Sequence, residues 1–277
     1  MTRSRTAALL LLCAALAAPA AADDWVAAFP KGGEVFTPLL ADPREVQLSA
    51  SYYRLRGEND ADAALGHSWG LIRWRTGILS DWLWQADAEA MAYARFQGDG
   101  AGAGLQAVDY VANLPVEARK GPFSFKAEFF HRESHLGDDV VRETGGASFR
   151  SSAEGVRGLA ALDPFRALRV YAGPTWLVRT EPSPRRWTLQ SGFELTSDDL
   201  HWSTRVPVRL FLAEDVQSRE DVRWNLDSKT TTGLKIGLPG STRAVRVQAG
   251  YFAGHSAFGQ FYAQPERYAD VGLSFEL

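Results

Sequence analysis

From Val46 to Leu277 apolar and polar residues alternate with a period of two, the pattern of strands that carry one face of each kind. Trp82, Trp84, Ala86, Ala88, Ala90, Ala92, Ala94 and Phe96 share one parity, and Gln85, Asp87, Glu89 and Arg95 the other. Val108, Tyr110, Ala112, Leu114 and Val116 separate in the same way from Asp109, Asn113 and Glu117, and Phe123, Phe125, Ala127 and Phe129 from Lys126, Glu128 and Arg132. Val206, Val208, Leu210 and Leu212 oppose Arg205 and Arg209, and Val245, Val247, Ala249 and Tyr251 oppose Arg246 and Gln248. Such segments number ~12 at ~10–15 residues each, a length suited to strands that cross a membrane. No stretch after Ala22 is a continuous apolar run of ~20 residues.

The connections predict a second pattern, long and short in turn. Gly57–Gly66 reads as long and Leu79–Asp81 as short, then Gln97–Gly104 and Lys120-Gly121, His131–Gly146 and Leu162–Phe165. Thr180–Arg185 and Ser197–Leu200, Ala213–Asp227 and Leu238–Arg243 continue it, and Gly254–Glu266 closes it. An even strand number with long outer loops and short periplasmic turns is the plan of bacterial outer-membrane barrels. A sheet crosses hydrocarbon only when closed, because an open edge leaves backbone donors without partners. The expected fold is therefore all-β, a closed antiparallel transmembrane β-barrel of about 12 strands. A secreted β-sandwich also alternates, but with its apolar face inside. Val271, Leu273, Phe275 and Leu277 alternate to the last residue, resembling the C-terminal signal through which barrels engage their assembly machinery. Trp69, Trp74, Trp82, Trp84, Trp176, Trp187, Trp202 and Trp224 suit an aromatic girdle.

The chain divides into three parts. Residues 1–22 read as a signal peptide, with Arg3 and Arg5, an apolar run from Ala7 to Ala18 and an Ala20-Ala21-Ala22 cleavage site. Residues 23–45, with Pro30, Pro38 and Pro43, form an N-terminal arm or plug on the periplasmic side, and residues 46–277 form the barrel. The only cysteine, Cys13, follows Leu12, which disfavours a lipoprotein acceptor, and it leaves with the leader, so no disulfide staples the mature chain. At 45% hydrophobic and 23% charged, the composition excludes a disordered chain and a helical membrane protein. A net charge of −3 excludes a dedicated nucleic-acid binder.

The face opposite the apolar one carries Arg73, Arg75, Asp87, Glu89, Arg95, Asp109, Glu117, Lys126, Glu128, Arg132, Arg205 and Arg209. In a narrow barrel such a mixed set reads as a paired network rather than a selectivity filter. One cluster offers chemistry, His131-Arg-Glu-Ser134-His135-Leu-Gly137-Asp138-Asp139, where a strand leaves the membrane. His131, Ser134 and His135 are the candidate catalytic residues, since a His–Ser pair with an orienting group makes a nucleophile. Asp138 and Asp139 are candidate calcium ligands, although the fold requires no cofactor. His131 and Ser134 are three apart, which in an extended strand sets them on opposite faces. Gly98–Gly104 lacks the lysine and helix of a phosphate loop and reads as a flexible loop. Glu58–Asp62 lacks the glycine and terminal glutamate of a calcium loop and reads as a solvated outer loop.

Two stretches carry a resemblance. Phe29–Glu45, which contains Pro38-Leu-Leu-Ala-Asp42-Pro43-Arg44-Glu45 and precedes Tyr52-Tyr53, resembles the entry segment of an uncharacterised bacterial family known only as a domain of unknown function. His131–Asp139 resembles that family's second hallmark, with Glu133 in place of its first serine. The resemblance implies an exported outer-membrane barrel and brings no activity. The same cluster distantly resembles the His-x-Ser motif of outer-membrane phospholipase A and the lipid A deacylases. The leading functional expectation is a barrel without catalysis, either a narrow channel or an envelope structural protein. The alternative is an outer-leaflet lipid hydrolase or acyltransferase. Expected partners are outer-membrane lipid, lipopolysaccharide and the barrel assembly machinery, and the expected location is the outer membrane.

Overall fold

The computed structural model describes residues 24–76, 79, 81–98, 102–144, 149–183, 185–200, 206–238 and 243–276. The leader 1–22, with Cys13, and also Trp202, Arg205 and Leu277 lie outside the described residues. The strands are β1 (Trp25–Ala28), β2 (Leu48–Leu55), β3 (Glu58–Arg75), β4 (Leu83–Gln97), β5 (Gly104–Lys120), β6 (Phe123–Leu136) and β7 (Ser151–Phe165). They continue with β8 (Leu168–Glu181), β9 (Trp187–Thr196), β10 (Val208–Arg219), β11 (Leu226–Gly237), β12 (Ala244–His255) and β13 (Pro265–Glu276). Among the described residues the one α-helix, α1 (Asp138–Thr144), stands between β6 and β7.

Each strand from β2 to β13 pairs antiparallel with its sequence neighbour, and β13 pairs with β2 from Asp270↔Tyr53 to Phe275↔Leu48, which closes a barrel of 12 strands. β1 is an extra strand, paired with the far end of β3 from Trp25↔Arg75 to Ala28↔Ile72. Both chain termini of the described residues lie at one end of the barrel, here the termini end; the opposite one is the loop end.

The faces are turned as a membrane barrel requires. Tyr110, Leu114, Val116, Phe123, Phe125, Phe129, Val247, Tyr251, Val271 and Leu273 are exposed on the outer wall. Asp87, Glu89, Asp109, Glu117, Lys126 and Glu128 are buried inside. A sandwich would have the opposite polarity, so this inversion decides between the two folds. Trp69, Trp176, Trp187 and Trp224 are exposed, and Trp74 stacks on Trp84 with ring centroids 6.2 Å apart. Arg209 keeps the inward parity but stands exposed near the termini end.

The connections depart from strict alternation. β2 turns into β3 through Arg56 and Gly57 alone, at φ of 54° and 93°, the left-handed pair of a two-residue hairpin. Glu58–Asp62 is thus strand rather than solvated loop. Asp60 is buried, and Asp62 accepts from Tyr53 at 2.7 Å and from Arg95 at 2.9 Å, so these acids belong to the polar lining. At the termini end β9 stops at Thr196 and β10 begins at Val208, farther apart in sequence than the short turn expected there, while β5–β6 and β7–β8 turn through Gly121-Pro122 and Arg166-Ala167.

Between β1 and β2 the chain runs into the lumen. Val35, Phe36, Leu39, Ala41, Asp42 and Glu45 are buried there, and Phe36 and Leu39 pack against Leu159, Ala161 and Tyr171. Strand packing around them is tight: a side-chain carbon built on Gly173 falls 1.8 Å from the Gly158 carbonyl oxygen. Gly173→Val is expected to destabilise the β7–β8 pairing by about 2 kcal/mol or more, seen as a lower urea midpoint for the heat-modifiable gel shift.

Candidate functional site

Most of the segment from Glu34 to Gln47 is buried or half-buried, so its backbone groups need bonding partners, and the inward side chains supply them. Glu117 accepts the Val35 and Phe36 amides at 2.7 and 2.8 Å. Glu194 accepts the Leu40 amide at 2.7 Å, while Glu45 takes that of Leu39 at 3.0 Å. In the other direction, Arg119, Arg169 and Arg246 donate to the carbonyls of Val35, Thr37 and Leu40 at 3.1, 2.7 and 3.0 Å.

The charges of the same segment are matched too. Asp42 meets Arg157 at 2.8 Å and Gln190 at 3.1 Å. Lys126 lies 3.0 Å from Glu89, 3.4 Å from Glu128 and 3.9 Å from Glu45. Arg44 ion-pairs with Asp109 at 2.7 Å, and its guanidinium lies 4.5 Å from the ring centroids of both Tyr93 and Phe258. Each charged residue of the Pro38–Glu45 stretch thus has a partner on the barrel wall. Sequence reasoning could place this segment only as an arm or plug, since partners so distant in sequence leave no local pattern.

Burial pushes the Glu34 carboxyl up from 4.5 to about 8 against the pull of Lys126, with Glu89 and Glu45 adding to the rise. Glu45 shifts in the same direction, again chiefly through burial. A carboxyl whose pKa is raised on folding contributes stability that is full below 4.5 and declines as pH rises to about 8. Amide exchange across residues 29–47, corrected for intrinsic rates, is therefore expected to be slower at pH 5 than at pH 8.

The predicted cluster is divided by the wall. His131, Glu133 and His135 have outward parity on β6, whereas Ser134 faces inward and is buried. Ser134 donates to Asp109 and accepts the Gln260 amide at 3.0 Å, and Gln260 Nε2 donates to the Ser134 carbonyl at 2.8 Å. The Gly259 amide donates to Asp109 at 3.1 Å. Ser134 therefore fastens the 256–264 connection into the loop end of the lumen, a role its sequence neighbourhood gave no sign of. Removing the hydroxyl in Ser134→Ala strands part of Asp109 and is expected to cost about 1–3 kcal/mol, with faster exchange at the Gln260 amide.

On the outer wall His131 Nδ1 lies 3.2 Å from Glu154 and Nε2 lies 3.4 Å from Glu133, which accepts Ser152 Oγ–H at 2.9 Å. Glu154 and Ser152, on β7, were not singled out by the sequence; the register His131↔Glu154 and Glu133↔Ser152 brings them in. His135 stands two outward positions beyond His131, its ring 6.1 Å from that of Tyr110. Beside His131 runs a shallow trough of about 660 Å³, with Ala90, Ala92 and Ala112 between Leu65 and Trp69 on one side and Tyr110 on the other.

Asp138 and Asp139 open α1. Asp139 accepts the Leu105 amide at 3.0 Å and pairs with Arg142, and Asp138 is exposed. Among the described residues no three His, Cys, Asp or Glu side chains converge as metal ligands.

Among solved structures, the chain is similar to the Salmonella typhi outer membrane phospholipase dimer with bound calcium, at TM-score 0.59 and 12% identity over 89% of this chain and 94% of that one. It is also similar to Escherichia coli outer membrane phospholipase A, at TM-score 0.54 and 13% identity over 88% and 94%. At such identity the likeness is one of fold. No curated protein matches. The model of a family described as protein of unknown function (DUF1207) matches residues 12–277, nearly the whole length, and the chain belongs to that family.

Proposed function

We propose that the protein is an integral outer-membrane barrel that is closed to conduction by its own N-terminal segment, an envelope protein rather than an open channel. One observation carries the reading: the amides of Val35, Phe36, Leu39 and Leu40 are bonded inside the lumen, three of them to carboxylates of the barrel wall. Glu117 and Glu194 serve as fixed acceptors for an irregular segment whose amides would otherwise need water. In this reading residues 1–22 direct export, both termini face the periplasm and the loop end faces outward, as in other barrels of this plan.

Planar-bilayer recordings test it. The native mature protein is expected to stay silent, and deletion of residues 24–45 to produce steady conductance steps. Steady conductance from the native protein would sink the proposal.

A second reading is favoured by the outer wall, where His131 stands between two carboxylates at the edge of a trough open to acyl chains, and one of them, Glu133, accepts from the buried Ser152 hydroxyl. It is a lipid acyl hydrolase whose hydroxyl is Ser152, with Glu133 bridging it to His131 and Ser134 uninvolved. Refolded protein incubated with phospholipid and lipopolysaccharide, with and without calcium, is then expected to release acyl chains detectable by mass spectrometry. Release would be lost in His131→Ala and Ser152→Ala and retained in Ser134→Ala. No release by the native protein removes this reading and leaves the first intact.

A further inference from the structure

Above the buried segment, towards the loop end, lies an internal cavity of about 150 Å³ bounded by Asp42 and Arg44 below and by Asn113, Arg132, Arg219 and His255 on the wall. A space of that size accommodates a solute about as large as benzene. Its lining is charged, and nearly all of the charge is spoken for. Arg44 pairs with Asp109 at 2.7 Å, Arg157 with Asp42 at 2.8 Å, Arg219 with Asp227 at 2.8 Å, and Lys229 with Asp270. Asp227 also takes His255 at 2.9 Å.

Arg132 is the exception among the inward-facing cations of this cavity. It makes no hydrogen bond or ion pair among the described residues, although it projects inward from β6 with Arg44 and Arg219 close enough to repel it. The carboxylate nearest in charge, Asp109, is already occupied by Arg44, Ser134 and the Gly259 amide. Asp221, the other, lies 3.8 Å from Arg219 and makes no hydrogen bond or ion pair to Arg132; its Oδ1 has no hydrogen-bond partner among the described residues. Asp215, which also lacks a cationic partner, is saturated by neutral donors, Tyr171 and Gln190 at 2.7 Å and Gln217 at 2.9 Å. Among the inward-facing cations of this lining, the one without a protein partner is the planar guanidinium fork of Arg132, facing a solute-sized space.

A guanidinium in this position is matched by two oxygens of one anion, the bidentate geometry that carboxylate and phosphate groups share. We propose that this vestibule binds a small solute through a carboxylate or phosphate group seated on Arg132. The site does not depend on whether the lumen conducts, since it lies on the loop side of the segment that fills it.

Inorganic phosphate and acetate are the probes, titrated into the full mature protein in detergent at constant ionic strength, with thermal unfolding and calorimetry as readouts. Phosphate stabilises folded proteins without binding them, so the comparison with Arg132→Gln carries the result. Saturable stabilisation and heat by one of the anions in the native protein, lost in Arg132→Gln while the heat-modifiable gel shift persists, is the expected outcome. Arg132→Lys keeps the charge and loses the fork; it covers the case in which the glutamine variant does not fold, and it is expected to bind about tenfold more weakly, about 1.4 kcal/mol. Which anion saturates tells a phosphate from a carboxylate ligand. An equal response in native and variant proteins, or no saturable response to either anion, overturns the proposal.

Discussion

Asp109 and Arg44 meet at the place where the three parts of the molecule join. The carboxylate belongs to the barrel wall, the guanidinium to the N-terminal segment, and the Gly259 amide and Ser134 hydroxyl bring in the connection that folds over the loop end. An interior that excludes most water demands a partner for every charge, and a single buried carboxylate with several donors meets that demand most compactly. From this junction the matching spreads in both directions. Toward the termini end the segment hangs from Glu117, Glu194 and Arg157, and toward the loop end the pairs at Asp227 and Asp270 line the vestibule.

Such a filling explains why the polar face carries both signs in similar numbers. A water-filled pore needs only hydration for its lining, whereas a lumen occupied by polypeptide needs acceptors for amides and donors for carbonyls, which glutamates and arginines provide. Lys126 among three glutamates illustrates the balance: with fewer anions the ammonium would be stranded, and with no ammonium they would repel one another.

The fold was legible because alternation is local. Phe123, Phe125 and Phe129 against Lys126 and Glu128 define a strand and its two faces within a few residues, and the inward or outward sense follows once the strand length calls for a membrane. Connections were less legible: Asp60 and Asp62 look like loop residues until Arg95, across the sheet, is known to face them. The cluster around His131 was legible by parity alone, which separates it from Ser134. What no pattern could show was Glu154 and Ser152, brought beside it by the β6–β7 register, or the reason for Asp42, Arg44 and Glu45, whose partners are scattered over the rest of the chain.

That scatter has a consequence for the order in which the molecule is made. Leu40 and its acceptor Glu194 are 154 residues apart, Leu40 and Arg246 are 206 apart, and Arg44 and Ala257 are 213 apart. Contacts of such separation carry the highest loop-closure cost. Asp42 holds only the Arg44 amide, at 2.9 Å; its guanidinium is held by Asp109, Tyr93 and Phe258, all far along the chain. The segment synthesised ahead of every barrel strand therefore completes its bonding only once the late strands β9 and β12 and the connection that follows β12 are in place.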